Sequence, residues 1–321
     1  MIDVSSKIKT LRVATAEAVI SFSDSSKELV ESGKSPKGDI FEVSRAIACL
    51  SAKKVAEILP FCHNIPVEHV DVNFSIEGNR INVSVTVKSI ARTGCEMEAL
   101  FAAMVSALNI YDMLKPVDKN LKIEEVKLVE KKGGKSDFIE KVSDDFRVGV
   151  LVVSDSVAAG KKEDKSGKII VEKLKEFGVK KIDYKIVPDE KDMIYNEVKK
   201  WCDDGYDLVI TTGGTGLSPR DTTPEAVEPL IEKEIPAIME SARAYGQERT
   251  PYSMLSRGIA GVHANRKTLI LTLPGSSRGA KESMDALFPY IFHIYPMLRG
   301  GRHDDKKGRV KKANEKKERK I

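Results

Sequence analysis

Asp112 and Lys115 stand three positions apart, so on a helix both project from one face. Lys115 precedes a proline, which disfavours further helix and leaves the ammonium at the exit, where the helix dipole favours it. Lys37 precedes Gly38 and Asp39 at a helix start, and His63 follows the other end of that helix in LPFCHNIP. Glu96 and Glu98 open the helix that carries Asp112, and Arg92, Lys131, Lys132 and Lys135 add positive charge. A polyanionic small molecule is the natural ligand for such a set. On spacing alone, a surface ion pair between Asp112 and Lys115 and a plain loop histidine at 63 read equally well.

A second constellation lies downstream. TTGGTGLSPRDTTPEA follows the apolar strand 207–212 and precedes a helix, so the amides of Gly213, Gly214, Thr215 and Gly216 are placed to receive a phosphate. The loop lacks the GK[ST] of a P-loop and the third glycine of a dinucleotide fingerprint, so by itself it also reads as an ordinary strand-to-helix turn. Three more loops end at the same expected sheet edge: VSDS with Ser154 and Asp155, VPDE with Asp189, and LPGSSRG with Ser276. Glycines, hydroxyls and carboxylates on four adjacent strand ends suit phosphate and Mg²⁺, which takes one or two carboxylates in an octahedral shell.

The elements that must position these residues fall into two sets, separated near 132–146, a Gly- and charge-rich stretch followed by a fresh apolar run. Upstream, Val70, Val72, Phe74 and Ile76 alternate with polar residues, as do Ile81, Val83, Val85 and Val87 after the turn Glu77–Arg80. That pattern predicts an antiparallel hairpin with one buried face. Ile40, Val43, Ile47, Leu50 and Ile58 recur at helical spacing behind an Asp39/Glu42 capping pattern, and Leu100, Met104, Ala107, Leu108 and Tyr111 mark a second helix. A last strand over 123–129 completes an α+β domain. Downstream, strands at 147–153, 181–187, 207–212 and 267–273 alternate with helices at 165–177 and 190–203, predicting an α/β, doubly wound, mostly parallel sheet.

The chain has 321 residues, 41% apolar and 31% charged, enough for two cores and lacking the long apolar run of a bilayer span. MIDVSSKIKTLR has no apolar stretch behind its charges, and four scattered cysteines without a CxxC pair fit reduced thiols, so a cytoplasmic address is expected. Residues 302–321 hold ten Lys/Arg against four Asp/Glu and carry the whole net excess of +5. This tail, 303–321, is expected to be solvated and disordered, with an RNA or membrane contact as the other reading. Neither domain interleaves basic and aromatic residues, which disfavours nucleic acid as a partner.

KGDIFEVSRAIACLSAKKVAEILPFCHNIPVEHVDV, ARTGCEMEALFAAMVSALNIYDMLKPVDK and KKGGKS together resemble the cyclic pyranopterin monophosphate synthase family of molybdenum cofactor biosynthesis, over nearly all of residues 1–137. The resemblance implies a ferredoxin-like domain, residues 1–140, in a hexamer built of dimers with active sites at subunit interfaces and no cofactor. It implies as substrate a cyclised 7,8-dihydro-GTP, rearranged to a pterin bearing a cyclic phosphate with loss of pyrophosphate. By position, Asp112 and Lys115 match the family's helix pair and Lys37 its loop lysine, so that Lys37 and Lys115 transfer protons and Asp112 orients Lys115, and Phe61, Cys62, His63, Met97, Glu98 and Glu96 match the substrate-contacting segments. Arg12, Arg92, Lys131 and Lys135 match the cations around phosphate and base. The chemistry is compatible, since a lysine crowded by cations loses pKa and acts as a base. The sequence departs from the family pattern at Asn64, Cys95 and Asp137.

TTGGTG, RDTTPEA and LPGSS, in that order, resemble the molybdopterin adenylyltransferase family over residues 146–302. This implies a trimeric, three-layer domain that joins AMP from Mg-ATP to the terminal phosphate of molybdopterin. Asp189 and Asp221 then match the Mg²⁺-associated acids, Gly213 to Gly216 the phosphate loop, and Ser154, Asp155 and Ser276 ligand-lining positions. Members without clear adenylation activity leave a second implication: a pterin-binding or oligomerisation scaffold for the fused synthase. A hexamer-forming and a trimer-forming domain share a threefold axis.

Overall fold

The structure, a computed structural model, describes residues 1–264 and 267–300; the basic tail at 303–321 lies outside the described residues. The chain divides into two compact units, Met1–Phe138 and the remainder from Ile139.

Unit 1 runs β1 (Thr10–Ser21), α1 (Ile40–Ala52), β2 (His69–Glu77), β3 (Arg80–Ala91), α2 (Glu96–Leu114) and β4 (Lys122–Lys132). The sheet order is β2-β3-β1-β4 and every neighbouring pair is antiparallel. The hairpin register pairs Val72 with Val85 and Ile76 with Ile81, so its apolar positions share one face. Ile81, Val83, Val85 and Val87 are fully buried there, whereas Ile76 at the hairpin tip is partly exposed. Asp39 accepts from the amides of Phe41 and Glu42 and caps α1, while the Glu42 carboxylate meets Arg45 Nε at 3.4 Å rather than closing a reciprocal box.

The helical faces differ from those the periodicity predicts. Val43 and Leu50 on α1, Met104 and Leu108 on α2, and Ile58 in a separate short helix (Val55–Ile58) are all exposed. The buried stripes run largely through small residues instead: Ser44, Ala48 and Ala52 on α1 after Ile40, and Ala99, Ala102, Ala103, Ser106 and Ala107 on α2 before Ile110, Met113 and Leu114. Alanines at 14, 16 and 18 line the buried face of β1 as well. Small side chains let backbones approach closely, which brings both helices down on the sheet and turns the bulky residues outward. By length and composition α2 could cross a membrane; half of it is buried within unit 1, as in the core helix of a globular unit.

Unit 2 runs β5 (Arg147–Val153), α3 (Ser166–Glu176), β6 (Lys181–Val187), α4 (Lys191–Asp203), β7 (Leu208–Thr212), β8 (Ile231–Glu234), α5 (Pro236–Gln247), β9 (Ala260–His263), β10 (Leu269–Leu273) and α6 (Ser277–Leu287). The sheet order is β8-β9-β10-β7-β5-β6. The four strands β6, β5, β7 and β10 are parallel, as the alternation predicts. Two short antiparallel strands, β8 at the edge and β9 beside it, lie between β7 and β10 in the chain, where the pattern predicts no strand. At four residues each, with IEKE in the outer one, they are too short and polar to register as strands. The parallel strands are buried along their length at β5, β7 and β10, so their carboxyl ends present loops to one edge.

Candidate functional site

In unit 1 the long helix α2 carries a cluster at each end. At its C-terminus Asp112 holds two ammoniums: Lys37 Nζ lies 2.5 Å from Oδ2 and Lys115 Nζ 2.7 Å from Oδ1. Lys37 reaches the pair from a tight turn, where Ser35 Oγ donates to the Gly38 carbonyl and accepts from the Lys37 amide. The hydrogen bond from Lys115, and then that from Lys37, pull the Asp112 carboxyl down to about 2. Asp112 in turn raises Lys115 above its ordinary value. This corrects the expectation from sequence that crowding by cations would lower it: in unit 1 the carboxylate, not a neighbouring cation, dominates. All three side chains remain open to solvent.

At the N-terminus of α2, Arg12, Glu96, Lys131 and Lys132 line a cavity of about 150 Å³ with Gly134 and Asp137. Lys131 Nζ is 3.5 Å from Glu96. Arg12 is buried and donates to the carbonyls of Ala91 and Arg92, while Arg92 Nε donates to the Lys7 carbonyl. Asp137, one of the departures from the family pattern, accepts from the Gly133 amide at 2.7 Å and shapes the turn beside the cavity. Lys135 stands in the same turn, Lys135–Phe138. Glu98 is 4% exposed and burial raises its carboxyl; burial, then Glu98, raises the thiol of Cys62. Phe61 and Met97 are exposed, and His63 Nε2 lies 2.8 Å from the Ile2 carbonyl. Cys95, another departure, is buried with its thiol on the Val87 carbonyl. Sixteen residues of helix separate Glu96 from Asp112, about 24 Å at 1.5 Å per residue. Within one subunit the two clusters therefore lie at opposite ends of α2 and do not share a pocket.

In unit 2 the strand ends enclose a cavity of about 420 Å³, bordered by Ser154, Asp189, Gly213, Gly214, Asp221 and Ser276. Sequence reasoning therefore brings six residues to one place. Asp155, Thr215 and Gly216 do not line it. Asp155 instead forms a bidentate pair with Arg220 and exchanges hydrogen bonds with Asp189: each carboxylate accepts the other's amide, at 2.8 and 3.0 Å. The hydroxyls of Ser154 and Ser276 accept from the amides of Val157 and Gly279 and cap the helices that follow.

Gly213 and Gly214 have φ of 107° and 61°, and a Cβ on them would lie 2.1 Å from the Val153 carbonyl and 2.2 Å from Thr223 Oγ1. Only glycine fits this turn. Burial, with Asp155 and Asp221 nearby, raises the Asp189 carboxyl, the mark of carboxylates sharing a confined space. Among the described residues no group of three or more His, Cys, Asp or Glu side chains is placed to hold a metal. The pair Asp189 and Asp221 still suits Mg²⁺, which completes its shell with phosphate oxygens and water.

Sequence reasoning missed the loop Lys162–Ser166, which forms another wall of this cavity. Asp164 organises it: buried, it accepts from Ser166 Oγ, the amides of Gly167 and Lys168, and Tyr184 Oη at 2.7 Å. The spacing Asp-x-Ser-Gly ahead of an apolar periodic run was the available signal.

Residues 1–134 match the MoaC family, and residues 149–293 match a family described as a probable molybdopterin binding domain. A molybdenum cofactor biosynthesis bifunctional protein of Chlorobaculum tepidum is 38% identical over 303 residues, covering 94% of this chain and 96% of its own. One from Synechococcus elongatus is 34% identical over 321 residues, covering 96% and 100%. A cyclic pyranopterin monophosphate synthase of Aquifex aeolicus is 43% identical over 141 residues, which is 44% of this chain and 56% of that protein. Among solved structures, the molybdopterin biosynthesis enzyme MoaB of Thermus thermophilus is 45% identical, with 48% of this chain and 97% of its own covered and a TM-score of 0.45. Likeness to the first two relatives runs through both units in a single alignment, and the chain belongs to the family of molybdenum cofactor biosynthesis bifunctional proteins.

Proposed function

We propose that unit 1 converts (8S)-3',8-cyclo-7,8-dihydroguanosine 5'-triphosphate to cyclic pyranopterin monophosphate with release of diphosphate, making it a lyase. The observation that carries this reading is the Asp112 carboxylate gripping Lys37 and Lys115 at once. Asp112 orients both ammoniums, and because it raises Lys115, that residue starts as a proton donor. Lys37, on the other carboxylate oxygen, is the partner for returning the proton. Arg12, Lys131, Arg92 and Lys135 bind the triphosphate and neutralise the departing diphosphate. Glu96, Glu98, Met97 and the segment Phe61, Cys62, His63 hold the base. The fold is ferredoxin-like, supported by the all-antiparallel order β2-β3-β1-β4.

Two half-sites about 24 Å apart on one helix require a second copy to complete each pocket, so the working form is an oligomer. The exposed Val43, Leu50, Met104 and Leu108 supply an apolar face for that association. A hexamer made of dimers accommodates it. The four free cysteines suit a reducing compartment, and we place the protein in the cytoplasm.

Unit 2, in this reading, joins AMP from ATP to the terminal phosphate of molybdopterin. Asp189 and Asp221 would hold Mg²⁺, whose charge supplies neutralisation at the phosphates. The glycine loop binds and orients the phosphate chain, with Ser154, Asp155 and Ser276 at its margins. Mass spectrometry of products, with the cyclised nucleotide in one reaction and molybdopterin with Mg-ATP in another, tests both halves. Lys115→Ala abolishes the first product while leaving assembly intact, and Asp221→Asn abolishes the second. Retained turnover in the Lys115 variant overturns its role; no adenylylated product from the unaltered chain makes unit 2 a pterin-binding scaffold.

A further inference from the structure

Arg257 stands outside the cavity lining, yet it ties together the far part of the glycine loop, from Thr215 to Asp221, and the helix that follows. Its Nε donates to the Gly216 carbonyl at 2.7 Å, Nη2 donates to the Asp221 carbonyl at 2.6 Å, and Nη1 pairs with Glu225. The Arg257 amide donates to the Thr215 carbonyl at 3.1 Å. In a planar trans peptide the N–H points opposite to the C=O. Fixing the carbonyls of Thr215, Gly216 and Asp221 therefore aims the amides of Gly216, Leu217 and Thr222 away from the guanidinium. Among the described hydrogen bonds none uses the amides of Gly214, Thr215, Gly216 or Leu217 as donor. Four successive donors thus stand open, beginning with Gly214 on the cavity wall and running on through residues beside it, and the peptide planes that carry the Gly216 and Leu217 amides are held by Arg257. One oxygen of Glu225 is buried without a partner, so the guanidinium is also what keeps that carboxylate paired.

We propose that Arg257 is the positioning residue of the unit 2 site, presetting the backbone amides of the glycine loop for the phosphate chain of a nucleotide. The choice of ligand rests on the adenylyl-transfer reading; the backbone clamp does not. Lysine carries the charge but lacks the planar fork that reaches two carbonyls and a carboxylate together.

The test is calorimetry of Mg-ATP on the full chain, with melting curves to certify folding. Arg257→Met is expected to weaken binding about tenfold or more, with KM for ATP rising further than kcat falls. Arg257→Lys, the variant to use if the methionine chain does not fold, restores the melting temperature but only part of the affinity. Arg243→Met removes another arginine-to-carbonyl bond on the same segment, to Gly258, and is expected to leave binding within about twofold. Folded Arg257→Met that binds Mg-ATP like the unaltered chain overturns the proposal, as does equal weakening by Arg243→Met. If the unaltered chain binds no Mg-ATP, the adenylyl-transfer reading fails and the clamp is judged by amide exchange. The Gly213 and Thr223 amides, bonded to the carbonyls of Leu273 and Gly214, then exchange faster in Arg257→Met, and unchanged protection overturns the clamp.

Discussion

Mixing two inactive variants gives a numerical test of how the synthase pocket is built. Lys115→Ala disables the half-site at the C-terminal end of α2, and Lys131→Ala with Lys132→Ala disables the half-site about 24 Å away at its N-terminal end. If each pocket takes one half from each of two chains, a pocket is intact only when both donors are unaltered at the relevant end. With equal amounts and random assembly, each condition holds half the time, so about a quarter of pockets recover. The assay is diphosphate release by coexpressed, co-purified mixtures, compared with each variant alone and with the unaltered protein. A pocket contained within one chain predicts no recovery at any ratio. Mixed oligomers no more active than their parents would refute the composite pocket and with it the need for association.

Three further outcomes follow from the geometry. The Asp112 carboxyl, depressed to about 2, titrates by NMR well below the usual carboxylate range, and Lys115→Met moves it up further than Lys37→Met because the Lys115 hydrogen bond is the larger cause. Since this pKa lies below the ordinary 3.8, the stabilisation from the pair is present above that value and fades as pH falls from about 4 towards 2. Gly213→Ala forces a left-handed φ of 107° on a residue with a Cβ, costing about 1–3 kcal/mol before the clash with the Val153 carbonyl is counted; unit 2 should melt earlier and lose nucleotide affinity together. Asp164→Ala strips the start of α3 and the Tyr184 hydroxyl of a shared buried acceptor and should cost about 2 kcal/mol in chemical denaturation, whereas a loss under about 0.5 kcal/mol would show the network to be dispensable.

The sequence carried the architecture where pattern and chemistry agree. Period-two alternation announced the β2-β3 hairpin, buried apolar runs announced β5, β7 and β10, and Asp39 announced the start of α1. It misled where packing overrides hydrophobicity. Val43, Leu50, Met104 and Leu108 satisfy a helical period, yet between Ile40 at one end and Ile110, Met113 and Leu114 at the other the buried stripes run through Ala and Ser, whose weak apolar signal a periodicity reading ranks last. Five of the six residues around the unit 2 cavity were legible because they follow strand ends, and Asp221 because it sits in the RDTTPEA motif. Arg257 was not, since its role depends on carbonyl oxygens, which no side-chain pattern reports. The direction of the Lys115 shift depends on Asp112, which also draws in Lys37 from 75 positions away; the charges alone gave the opposite sign.

The alanine and serine seam between α1 and α2 reaches beyond packing. Because the middle of that seam spends little bulk inside the subunit, Val43, Leu50, Met104 and Leu108 are left outside it, and in the proposed oligomer quaternary contact takes them out of water. Turnover per milligram should therefore fall on dilution, even at saturating substrate, and cells expressing too little of this chain would lose catalysis before they lose the polypeptide.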